Sequence, residues 1–179
     1  MYEKQVLIAL SYFPELKDIY IEFRIQPAFT PLETSFYWTG ILHSGRQRHY
    51  IITISDSTIK ELSPILFRNL DFNSQVGVLG HELSHVADFS SAGFWDLLEI
   101  GFNNLSSDKL DHFEFSTDSI CIAHGLGYQL FSWSCFVRWA LHTSNWEGAD
   151  HIREPFMKRE RYMNPATVVK QMMFNPLYN

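Results

Sequence analysis

The residues His81-Glu82-Leu83-Ser84-His85 bring two imidazoles and a carboxylate within five positions of one another. On an α-helix, residues four apart share a face, because each residue turns the chain by about 100°. His81 and His85 would then project side by side, one turn apart, and their ring nitrogens can reach one tetrahedral metal ion. Glu82 is rotated one residue step off that face. It is poorly placed as a ligand and well placed to accept a proton from a water at the ion's open position. The ion lowers that water's pKa toward neutrality, and a carboxylate can complete the deprotonation. The implied chemistry is hydrolysis assisted by one zinc ion. A helix carrying two surface histidines is the plainer reading. The motif instead lies mid-helix, between Val78-Leu79 and Val86-Ala87, which favours the metal.

A catalytic zinc takes three protein ligands and a water. The segment Glu114-Phe-Ser-Thr-Asp118 offers two more carboxylates four apart. On a helix Glu114 can bind the ion while Asp118 hydrogen-bonds the distal nitrogen of a ligand histidine, fixing its tautomer and raising its basicity. Phe113, Phe115, Ile120 and Ile122 flank the pair, so this helix is partly buried, and acidic groups beside a core need partners. Asp88, three residues after His85, competes as a ligand or as an outer acceptor. On an unbroken helix it points along the face rather than across the ion. His112 and His124 are further candidates.

These residues need elements to carry them. Val76, Leu79, Leu83 and Val86 recur at helical spacing, which predicts a helix from a cap at Asn73 to about Phe89 with one buried face. A second helix is predicted over about 107–123, ending at Gly125-Leu-Gly127. Residues 57–70, 93–105 and 128–142 also read as helical, and Asn164-Pro165 reads as a cap and first-turn proline. Upstream, residues 3–10 suggest a short helix. The stretches 18–26, 34–42 and 48–55 alternate as strands, with a hairpin loop at 43–47. The expected fold class is α+β. A small antiparallel or mixed sheet occupies about 1–56, and a mainly helical part, about 57–179, carries the metal site within a single domain.

Composition narrows the function classes. The chain has 179 residues, enough to bury a core without disulfides or a structural metal. Its net charge of −6 leaves no basic stripe for DNA or RNA. The apolar run from Tyr128 to Leu141 is too short to span a bilayer. No leader pattern is visible at the start, so a cytoplasmic protein is expected. Cys121 and Cys135 sit among apolar residues and read as buried free thiols rather than a disulfide framework.

His81-Glu82-x-x-His85 followed by Glu114-x-x-x-Asp118 resembles the gluzincin metallopeptidases, the group that includes the thermolysin-like enzymes. The resemblance covers roughly residues 48–125. It implies a zincin-like fold with His81, His85 and Glu114 as zinc ligands, Glu82 as general base and later proton donor, and Asp118 supporting a ligand histidine. It also implies a peptide or protein substrate lying along an edge strand, for which 48–55 is the candidate. A downstream residue that stabilises the oxyanion is expected, with His142, His151 and Tyr162 as candidates. Two alternatives share this residue set. One is a zinc-binding interaction or regulatory module without turnover, its fourth zinc position filled by a side chain such as Asp88. The other is a hydrolase of a non-peptide bond.

Overall fold

The computed structural model describes residues 2–37, 44–91, 107–148 and 160–179, and they form an α+β arrangement. Helix α1 (Glu3–Ser11) precedes strand β1 (Tyr20–Gln26), strand β2 (Leu32–Phe36) and strand β3 (His49–Ser55). Helices α2 (Phe72–Ser91), α3 (Ser107–Ala123), α4 (Gly127–Ala140) and α5 (Pro165–Met173) follow. The predicted amphipathic stretch 93–105 and the end of the predicted 34–42 strand lie outside the described residues.

The sheet is mixed, in the order β1-β3-β2, with β1 parallel and β2 antiparallel to β3. This corrects the expectation that 48–55 is an edge strand. β3 is paired on both sides and buried from Tyr50 to Ser55. Its near-continuous apolar run is the signature of a strand covered on both faces. The edges among the described residues are β1 and β2, and the burial of β2 alternates. Leu32, Thr34 and Phe36 turn inward while Glu33 and Ser35 are exposed.

The predicted helix over 57–70 is not formed. The chain makes two 3-10 turns, Ser63–Ile65 and Phe67–Asn69, separated by an extended Leu66. Leu62, Ile65, Leu66, Phe67 and Leu70 are all buried, so the apolar spacing imitates a helix face, but Pro64 in the first of the two turns and the extended Leu66 interrupt the chain. The cap of α2 is Asp71 rather than Asn73: its Oδ1 accepts the Ser74 backbone N–H at 2.9 Å and its Oδ2 accepts the Ser74 hydroxyl at 2.7 Å. Asn164 does precede α5, but its side chain is spent elsewhere. It accepts from Arg138 Nε at 2.8 Å and donates to Glu160 Oε1 at 2.6 Å. Both cysteines are free, Cys121 buried as expected and Cys135 exposed on α4.

Helix α2 is more deeply placed than a one-faced helix. Every residue from Ser74 to Val86 is buried, with α1, α3, α4 and β2 around it. Gly77 permits the closest of these contacts, since a Cβ there would lie 2.2 Å from the Gln129 carbonyl oxygen of α4. Gly77→Ala should therefore force α2 and α4 apart and lower stability by about 1–3 kcal/mol, the usual cost of overpacking. A shift of the urea midpoint measures it, and an unchanged midpoint would contradict this packing.

Candidate metal centre

Two helices and one short segment build the centre. α2 contributes His81, Glu82 and His85. α3 contributes Glu114, Thr117 and Asp118. The stretch 160–164 adds Tyr162 and Met163. The imidazoles of His81 and His85 lie 4.8 Å apart between ring centroids and nearly perpendicular. Glu114 Oε2 is 3.1 Å from His81 Nε2 and 3.4 Å from His85 Nε2. Tetrahedral zinc holds its N and O ligands at about 2.0–2.2 Å, which separates neighbouring ligand atoms by about 3.3–3.5 Å. The donor set and its spacing thus fit one small divalent ion, and all three candidate ligand atoms lie within 4.8 Å of one another. Among the described residues, no further His, Cys, Asp or Glu joins this group.

Each histidine is held from behind. His81 Nδ1–H donates to Asp118 Oδ1 at 2.8 Å, leaving Nε2 for the metal side. The other oxygen of Asp118 accepts the Met163 backbone N–H at 2.7 Å. His85 Nδ1 lies 3.3 Å from the Thr117 hydroxyl, whose own proton goes to the Phe113 carbonyl at 3.0 Å. That hydroxyl is thus free to accept from Nδ1, and Nε2 of His85 faces Glu114. The His85 ring also packs beside Phe89 and Phe113, which contact each other.

The electrostatics follow from this crowding. Burial works against a charged His81, but its hydrogen bonds to Asp118 and Glu114 outweigh it and raise its pKa well above the ordinary 6.5. Burial likewise works against an ionised Glu114, yet the charges and hydrogen bonds of His85 and His81 pull its carboxyl far below the carboxylate range. A cation must displace the second His81 proton, after which it takes over the role of neutralising Glu114.

Glu82 does not join the three ligands. Its Oε2 accepts a hydrogen bond from the Thr34 hydroxyl at 2.7 Å. It lines a cavity of about 60 Å³ together with His81, Leu32, Trp133, Trp146 and Tyr162. Of the three downstream candidates, Tyr162 reaches this cavity, with its ring 5.5 Å from that of His81. Burial, and then the nearby Glu114 and Glu82, push its phenol well above its usual pKa, so it stays a donor at neutral pH. His142 is exposed in the turn after α4, and His151 lies outside the described residues. Asp88 is half-buried and does not converge with the ligands. Burial raises its carboxyl against the opposing charge of His85. His112 is exposed, and His124 pairs with Glu15 at 2.7 Å, away from the centre.

Sequence reasoning did not find Thr34, Thr117 or Arg161. Thr117 carried a signal, since it lies three residues after Glu114 and one before Asp118. Thr34 and Arg161 carried none, because each acts across a long stretch of chain. Arg161 Nε binds Asp111 Oδ1 at 2.7 Å in a buried ion pair, joining the Tyr162 segment to α3.

Comparison of the chain with protein-family models, with curated proteins and with solved structures finds no match. No helix among the described residues is long and apolar enough to cross a membrane.

Replacing Glu114 with Ala should weaken zinc binding far more than replacing Asp88. Asp118→Ala should cost about 10–100-fold. Competition against a chromogenic chelator orders the three, and a larger loss at Asp88 would move the third ligand there. Because the His81 pKa is raised, zinc uptake near pH 6.5 should release a proton, and affinity should climb as pH rises above that value. Titration calorimetry in buffers of different ionisation enthalpy counts that proton.

Proposed function

We propose that this chain is a zinc-dependent peptidase of the gluzincin type, with His81, His85 and Glu114 as metal ligands and Glu82 as the proton-transfer group. The observation that carries the reading is the approach of the Glu114 carboxylate to both histidine Nε2 atoms, with Glu82 held off the ligand set on the wall of a cavity. A surface pair of histidines would not be buried, backed by Asp118 and Thr117, and closed by a third ligand from another helix.

A bound zinc ion would supply Lewis-acid polarisation of a carbonyl and a lowered pKa for water. The protein's own groups account for the remaining steps. Glu82 takes a proton from the water that attacks the peptide carbon. It then delivers that proton to the amine nitrogen as the C–N bond breaks. Tyr162 donates from its phenol to the carbonyl oxygen as negative charge develops there. β2 is the strand to pair with an extended substrate, since β3 is enclosed and, of the two edge strands among the described residues, β2 contributes Leu32 to the cavity. Leu32, Trp133 and Trp146 beside Glu82 favour an uncharged, apolar substrate side chain next to the cleaved bond.

The test is incubation of the zinc-loaded protein with a denatured protein mixture, with and without a chelator, followed by mass spectrometry of new termini. Chelator-sensitive cleavage that vanishes in Glu82→Gln, while zinc stays bound, is the expected result. Loss of zinc in that variant would make Glu82 structural and the mechanism wrong. Tyr162→Phe should lower kcat by about 100–1,000-fold with little change in KM, as loss of one oxyanion donor does. An unchanged kcat would remove Tyr162 from the mechanism.

A further inference from the structure

The geometry points to Thr34 as a positioning residue that orients the Glu82 carboxylate for proton transfer; this inference rests on the peptidase reading above. Thr34 occupies the middle inner-facing position of β2, between Leu32 and Phe36. Alternation places an apolar residue there, and a hydroxyl toward a core needs a partner. It finds two on one residue 48 positions away. The Thr34 hydroxyl donates to Glu82 Oε2 at 2.7 Å and lies 3.1 Å from the Glu82 carbonyl oxygen. The short contact is to an ionisable acceptor, which makes it the stronger of the two.

Glu82 is buried, and its side chain can rotate about several bonds. A base that must take a proton from one point and deliver it to another works only in a narrow range of orientations. The hydroxyl engages Oε2 and leaves Oε1 as the oxygen that exchanges the proton. The donor comes from the strand that borders the cavity, so the base is aligned with the same edge along which a substrate would lie. Both hydrogen-bond contacts of the Thr34 hydroxyl are to Glu82. It acts through Glu82 alone.

The experiment compares the zinc-loaded wild type with Thr34→Val, which keeps the shape and removes the hydroxyl, and with Thr34→Ser, which keeps the hydroxyl. Crystal structures of the wild type and Thr34→Val accompany the kinetics, and zinc content and melting temperature control for folding. The expected result is a kcat about 10–100-fold lower in Thr34→Val, with KM and zinc content unchanged. Thr34→Ser should return to within about threefold of the wild type, and the Glu82 carboxylate should be displaced in the Thr34→Val crystal. Equal kcat in the two variants, or a carboxylate that keeps its place without the hydroxyl, would overturn the inference. A wild type that cleaves nothing sinks the peptidase reading instead, and the Glu82 orientation is then decided by the two crystal structures alone.

Discussion

A single buried carboxylate ties the centre together. Asp118 is 1% exposed, and a charge at that depth persists only when its oxygens are bonded. One oxygen holds His81 and the other holds the Met163 backbone N–H. Three parts of the chain therefore meet at Asp118: α2 through the histidine, α3 through the aspartate itself, and the segment 160–164 through a backbone amide. The orientation of His81 and the placement of Tyr162, the residue next to Met163, depend on the same carboxylate.

Other buried polar groups extend that arrangement. The Asp111–Arg161 ion pair anchors the Tyr162 segment to α3 a second time, and Arg161 Nη1 also donates to the Glu147 carbonyl at 3.0 Å. From α4, Arg138 donates to the Tyr162 carbonyl at 3.1 Å, and the Ser134 hydroxyl donates to the Met163 carbonyl at 2.7 Å. Isolated buried ions are costly, and these are stabilised because each meets hydrogen-bond partners on a different element. The same bonds that satisfy them fix the relative positions of α2, α3 and α4 around the ligands. Gly77 complements this with apolar closeness, admitting the α4 backbone where any side chain would block it.

The legible parts of the sequence were those where chemistry and local period coincide. His81 and His85 lie one turn apart on one helix, so their common direction, and the rotation of Glu82 away from it, follow from helix geometry. Glu114 and Asp118 repeat that spacing on α3, and the structure places both against His81. The stretch 57–70 misled, because Leu62, Ile65, Leu66 and Leu70 have helical spacing while the chain around Pro64 folds into two short 3-10 turns. The strands at 18–26 and 48–55 and the start of that at 34–42 were found, and β2 does pair antiparallel to β3, but the parallel pairing of β1 on the other side of β3 was not foreseen. Pairing order depends on which strands arrive on either side, and local alternation is silent about that.

The sequence by itself determined the spacing that puts His81 and His85, and Glu114 and Asp118, on one face of their helices, together with those helices and the α+β class. All of these follow from short-range periodicity or from composition. Only the tertiary structure decided that Glu114 closes the triangle while Asp88 does not, that β3 is central and β2 an edge, and that Tyr162 lines the cavity beside Glu82 while Thr34 bonds the Glu82 carboxylate. Those facts join residues up to about 80 positions apart. No local spacing encodes them, because they arise from how buried charges and apolar faces find partners when the helices pack.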